Sequence, residues 1–188
     1  MTVVKVVNSG VSDLYRRNPV TTPPLPFDPI AEAARLWRGH GWDEAADGMA
    51  VVTSLMRAQA IVLGWVDDVL RPLNLTFARY ELLMLLSFTR EGYLPMNKTG
   101  ARLQVHPTSV TNAANRLEAA GLVRRRPDPA DGRGVLVEIT DAGRAVAATA
   151  TASLNEQVFS RPDLTTTGML ATVASLRNLR QAAGDFEE

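Results

Sequence analysis

Residues 105–143, VHPTSVTNAANRLEAAGLVRRRPDPADGRGVLVEITDAG, leave the chain few local shapes to adopt. Pro107 suits the first position of a helix, where its missing N–H would be unpaired anyway. That makes His106 the N-cap, with Val105 before it. Val110 sits four positions past the cap, where it can close a hydrophobic staple with Val105. Gly121 follows the last turn and can take the left-handed conformation that ends helices. Val110, Ala113, Ala114 and Leu117 share one face at helical spacing. The opposite side carries Thr108, Thr111, Asn112, Asn115 and Arg116.

That outer face is unusual, since an ordinary solvated face would carry more Lys and Glu. Short amides and hydroxyls are groups that hydrogen-bond base edges, and Asn pairs bidentately with adenine. Read alone, the helix is equally a surface helix of odd composition. The residues that follow decide between the two. Residues 122–126 form a short strand with Arg124, Arg125 and Arg126 in succession. In residues 135–139, Val135, Val137 and Ile139 alternate with Leu136 and Glu138. Between the strands, RPDPADGRG is dense in turn formers. Helix, strand, charged turn and strand in this order make a winged helix-turn-helix. Asp128, Asp131 and Arg133 lie in the turn. An Asp–Arg contact there would brace the loop and leave an Arg to enter a minor groove, where a narrow A·T tract concentrates negative potential.

Three stretches resemble successive motifs of the MarR family of bacterial transcription regulators. They are LNLTFARYELLMLLS (73–87), ARLQVHPTSVTNAANRLEAAGLVRR (101–125) and DPADGRGVLVEITDAG (128–143). The likeness spans roughly residues 47–182. It implies a homodimer that represses, or less often activates, a nearby promoter and commonly releases DNA on binding a small molecule. By position, the reading helix contributes Thr108, Ser109, Thr111, Asn112 and Arg116, and the wing contributes Arg133. Two departures stand out. Asn97 and Thr99 occupy places where the family usually has apolar or helix-favouring residues, so the first helix of the reading head should be short or loose. Gly132 and Gly134 flank Arg133 where a second Arg is common, which weakens or loosens the wing tip.

Formal net charge is zero, which at first argues against a nucleic-acid partner. The distribution answers this. Residues 96–144 hold eight basic residues (Lys98, Arg102, Arg116, Arg124, Arg125, Arg126, Arg133, Arg144) against five acids (Glu118, Asp128, Asp131, Glu138, Asp141). Residues 28–47 hold five acids against Arg35 and Arg38. A local DNA face needs only the first kind of region. The chain has no cysteine, which excludes disulfides, thiol redox sensing and Cys-based zinc sites. His40 and His106 read as structural or solvated, and the sequence calls for no metal or cofactor. No signal peptide is visible. Residues 50–66 come nearest to a membrane span, but Arg57 and Gln59 interrupt them and they fall short of the ~20 residues needed. A cytoplasmic location is expected.

With 46% hydrophobic residues in 188, the chain can bury a real core in one or two domains. Residues 1–27 read as a flexible tail and a proline-rich linker, residues 19–29 holding five of the eleven prolines. Residues 28–46 read as an extra helix with Asp28 as N-cap and Pro29 at its first position, ended near Gly39 or Gly41. Residues 47–72 and 160–188 read as dimerisation helices. Met49, Val52, Met56, Leu63, Val66 and Leu70 stripe the first, and Leu170, Val173, Leu176 and Leu179 stripe the second. Residues 73–159 read as the winged helix-turn-helix domain with a connecting helix. Thr76 caps its first helix, with Leu75 and Tyr80 as staple, and Thr140 caps the connecting helix. The expected fold is mostly α with a small β-hairpin wing, between long N- and C-terminal dimerisation helices.

The resemblance also implies a ligand pocket between dimerisation helices and reading head. Met56, Trp65, Phe77 and Tyr80 are the candidates, with Arg57 as an anion partner for a small aromatic or acidic effector. Taken singly, each apolar member reads more readily as ordinary core. A winged helix without specific DNA binding, docking protein instead, is the alternative. An enzyme is excluded by the lack of a phosphate loop, of paired metal-binding His and of a nucleophile–base constellation.

Overall fold

The computed structural model describes residues 24–103, 107–129, 131–160 and 162–187. The expected tail, most of the proline-rich linker, the His106 cap and the Val105 staple lie outside them. α1 (Pro29–Gly39) starts as its sequence dictates: Asp28 Oδ1 accepts from the Ile30 N–H at 2.9 Å, and Pro29 follows. It ends before Gly41, whose φ of 80° favours glycine. α2 then runs Asp43–Leu70, 28 residues. It starts four residues earlier than the periodicity predicts. Gly41 has already turned the chain, and Asp43 and Glu44 place acid on the positive end of the new helix. α1 lies against α2, with Arg38 paired to Asp47 and the rings of Trp37 and Trp42 edge to face at 5.1 Å. Pro72 falls in a single 3₁₀ turn, Arg71–Leu73, that ends the helix.

Among the described residues, the stretch Asp43–Leu73 is long and apolar enough to cross a membrane by length and composition alone. Within it the apolar run at residues 50–66 is interrupted by Arg57 and Gln59 and followed directly by Asp67 and Asp68. The C-terminal end of the helix is built into a core, where Val66 and Leu70 are buried.

That core belongs to the head. α3 (Phe77–Ser87) is capped by Thr76, and Leu75 and Tyr80 are buried as a staple requires. β1 (Tyr93–Pro95) and the eight-residue α4 (Met96–Leu103) follow. α5 (Pro107–Ala119) leads to β2 (Val123–Asp128) and β3 (Asp131–Ile139). The wing is therefore more than the predicted hairpin. β1 adds a third antiparallel strand, in the order β1-β3-β2, with Tyr93 opposite Glu138 and Pro95 opposite Leu136. The centre strand is covered on both sides, so the alternation in residues 135–139 does not translate into burial. Val137 and Ile139 are buried as expected, but so is Leu136, at 2% exposed, while Val135 is 40% exposed. α4 is short, as its composition predicts. Thr99 is fully buried there, and its Oγ1 donates to the Pro95 carbonyl at 3.1 Å, so its burial leaves no polar atom unpaired.

α6 (Asp141–Leu154) and a π-helical turn (Asn155–Phe159) carry the chain back along α3 and α2. The turn from β3 into α6 is tight. Thr140 Oγ1 accepts from the Gly143 N–H at 3.0 Å and donates to the Gly121 carbonyl at 2.8 Å. A Cβ on Gly143 would stand 2.1 Å from the Leu122 carbonyl oxygen, so only glycine fits three residues after the cap. The last helix, α7 (Thr166–Ala182), is capped by Thr165. None of its residues is buried.

Candidate nucleic-acid interface

α5 presents two faces of opposite character. Val110, Ala113, Ala114 and Leu117 are buried against the rest of the head, α3 above all. Thr108, Ser109, Thr111, Asn112, Asn115 and Arg116 are all exposed. The helix ends as Gly121 predicts: its φ is 71°, the Leu122 N–H donates to the Leu117 carbonyl at 2.9 Å, and the Gly121 N–H to that of Glu118 at 2.9 Å. This double closure is the Schellman motif. It turns the chain directly into β2, so helix and wing are held by one short joint.

The three successive arginines do not form one cationic patch. Alternate side chains of a strand point to opposite faces. Arg125 turns toward α5: its Nη1 donates to Glu118 Oε2 at 2.8 Å and its Nη2 to Asn115 Oδ1 at 2.6 Å. The Arg125 backbone N–H also donates to Glu118 Oε1, at 3.0 Å. Asn115, expected to read bases, is thus also a strut between reading helix and wing. Arg124 and Arg126 lie on the other face, and both bind Glu138 of β3. Arg124 Nη2 reaches Oε1 at 2.7 Å, and Arg126 Nε reaches Oε2 at 2.9 Å. The Arg126 guanidinium also lies 4.3 Å over the centre of the Tyr93 ring, a cation–π contact. The hydrogen bond from Arg124, with that from Arg126, holds the Glu138 carboxyl below its ordinary value against the opposing effect of desolvation.

Glu118, Arg125, Glu138 and Tyr93 were missed as interface residues. Once the register of the hairpin is known, Arg124 stands directly opposite Glu138, and the pairing follows. The wing tip is compact: the ladder shifts between Pro127 and Asp128, and a Cβ on Gly134 would come within 2.9 Å of the Asp128 Cβ. The Arg133 side chain lies outside the described residues, and with it the expected brace to Asp128 or Asp131.

The five pocket candidates do not gather into one site within a single chain. Phe77 and Tyr80 stack with ring centres 6.1 Å apart, and Trp65 and Phe77 pack on the head core. The Tyr80 hydroxyl lies 3.1 Å from Thr151 Oγ1. Met56 and Arg57 are on the exposed stretch of α2, about 12 Å or more along the axis from Trp65. A separate open groove of about 510 Å³ runs between α2 and α7, lined by residues that include Val51, Leu55, Leu176 and Leu179.

A family model described as the MarR family matches residues 73–134. The chain is 51% identical to Sco5413, a MarR family transcriptional regulator from Streptomyces coelicolor. That match covers 76% of this chain and 99% of the other, with a TM-score of 0.68. Sco3205, a MarR family transcriptional regulator from the same organism solved in complex with DNA, is 26% identical. It covers 70% of this chain and 85% of its own, with a TM-score of 0.62. BpsR of Bordetella bronchiseptica, whose DNA binding is regulated by 6-hydroxynicotinic acid, is 25% identical. It covers 69% of this chain and 91% of its own, with a TM-score of 0.63.

Proposed function

The chain belongs to the MarR family of DNA-binding transcription regulators, and from that premise we propose that it is a cytoplasmic homodimeric repressor released from its operator by a small molecule. One observation carries the DNA-reading part. The outer face of α5 offers six exposed hydroxyl, amide and guanidinium side chains, and the helix's single carboxylate, Glu118, is neutralised by Arg125. Thr108, Ser109, Thr111, Asn112, Asn115 and Arg116 read or flank bases in the major groove. Arg133 reaches the minor groove or its phosphates from the wing. Arg124 and Arg126 add positive charge to the wing, reduced by their shared ion pairs with Glu138.

The dimer reading rests on the flanking helices. α2 and α7 leave Val52, Met56, Leu63, Leu170, Val173 and Leu179 exposed. A second copy of the same helices covers them, with residues 47–72 and 160–188 as the dimerisation elements and 73–159 as the head. Two reading helices then stand about 34 Å apart, one turn of DNA, and the operator is pseudo-palindromic. The effector is a small aromatic or acidic molecule at the junction of body and head, walled by Trp65, Phe77 and Tyr80 with Met56 and Arg57 supplied through the dimer.

Fluorescence anisotropy on a duplex from the gene's own upstream region, against a scrambled duplex over a salt series, tests the reading. A preference of about 10³-fold or more, with steep salt dependence, is expected. The internal pairing of Arg124, Arg125 and Arg126 favours a second reading, a winged module that docks protein. Equal or absent binding to both duplexes would support that one.

A further inference from the structure

Arg124, Arg126, Glu138 and Tyr93 form a cluster that DNA reading does not require. Glu138 stands on the centre strand, opposite Tyr93 on one side and Arg124 on the other. Arg126 lies two residues along on the same face, stacked on Tyr93 and bound to the same carboxylate. Two guanidinium groups therefore share one carboxylate, and one of them is also fixed by an aromatic ring. Glu138 is largely shielded, at 19% exposed, whereas Arg124 is 67% exposed at the edge. The carboxylate is ionised at working pH, because the hydrogen bond from Arg124, aided by Arg126, favours its charged form. The cluster thus carries net charge +1 where the two arginines alone would carry +2.

We propose that Glu138 is a positioning residue that limits the wing's sequence-independent hold on DNA, by drawing Arg124 and Arg126 onto the sheet and away from phosphate. The inference rests on the DNA-binding reading and adds to it. Phosphate contacts supply affinity without sequence information. A regulator that must let go of ordinary DNA gains selectivity by having fewer of them. Each added phosphate contact steepens the dependence of log affinity on log salt by about 0.9. Freeing one or two arginines per wing therefore changes a measurable slope.

The test compares wild type with Glu138→Gln, which keeps the shape and one acceptor oxygen but removes the charge, on native and scrambled duplexes from 50 to 200 mM salt. For each wing engaged, the variant's affinity for scrambled DNA should rise about 3- to 12-fold more than wild type's on going from 200 to 50 mM. Adding Arg124→Ala and Arg126→Ala to the Gln variant should return the slope to that of wild type. Glu138→Asp, which keeps the charge, should retain the wild-type slope and guards against a folding artefact. A merely structural role would lower the melting temperature of Glu138→Gln and leave the slope alone, and that result overturns the proposal. So does a Gln variant with a steeper slope that survives loss of both arginines. If wild type prefers its native duplex while the variant's slope is unchanged, the regulator reading stands and this inference falls. If wild type binds neither duplex, both fall.

Discussion

Leu117 of α5 is 1% exposed and Leu170 of α7 is 67% exposed, although each is an apolar position on an amphipathic helix. The two residues stand for two regions. In the head, α3, α5, α6 and the sheet close a continuous core from Leu82, Leu83, Leu86, Ala114, Leu117, Val137 and Leu154. In the body, α7 buries nothing, and the N-terminal half of α2 buries only Ala46. Burying a side chain such as Leu or Val stabilises by about 1.5–3 kcal/mol. The head has collected that energy within one chain, and the body has not. The head thus closes its core within one chain, whereas the body leaves apolar side chains such as Leu170 and Val173 exposed.

Breaking the body should have the largest effect on function. Leu170→Glu with Val173→Glu is expected to give monomers by light scattering and to cut operator affinity by about 10²–10⁴, the contribution of linking two half-sites. The head should keep its own unfolding transition. A double variant that remains dimeric would mean that α7 is not part of the interface. Leu117→Ala strikes the other region. It should cost about 2–5 kcal/mol of stability from the cavity it leaves, equally at every protein concentration, whereas the body variant, being monomeric, should lose wild type's dependence of melting on concentration. A concentration-dependent Leu117→Ala effect would dissolve the distinction between the two regions.

Smaller substitutions sharpen the contrast within the head. Asn112→Ala removes an exposed side chain and should leave the melting temperature near that of wild type. It should relax preference at one position per half-site by about 1–3 kcal/mol, read from affinities for single-base operator variants. Uniform weakening at all positions would assign Asn112 to the backbone instead. Glu81 on α3 gives the smallest effect. Partial burial raises its carboxyl above the ordinary value. The native state then holds its proton more tightly than the unfolded chain, so this group's contribution to stability falls as pH rises above about 4.5. Glu81→Gln should raise the melting temperature slightly at pH 7 and leave it unchanged at pH 4. A variant less stable at pH 7 would show that the carboxylate has a partner worth keeping.

Much of this was legible along the chain. Asp28, Thr76 and Thr140 mark helix starts because a short oxygen-bearing side chain can take an orphan N–H within the same turn. Gly121 marks a helix end because only a residue without Cβ enters the left-handed region at no cost. The burial of Val110, Ala113, Ala114 and Leu117 followed from spacing alone. Other features left no local trace. Tyr93–Pro95 is three residues long and contains a proline, and it is a strand only because Leu94 meets Val137, 43 positions later. The early start of α2 was hidden because residues 43–48 lack the apolar stripe, and α1 packs there instead.

The arginines show the same division most sharply. Composition and order established a basic wing after a polar helix, since propensity, turn chemistry and side-chain period act over a few residues. Which arginine faces α5 and which share Glu138 depended on strand register, and register is set by pairing between segments far apart in sequence. Tertiary structure likewise decided that the apolar stripes of the head would be buried and those of α7 left open, because burial belongs to pairs of surfaces while periodicity belongs to one.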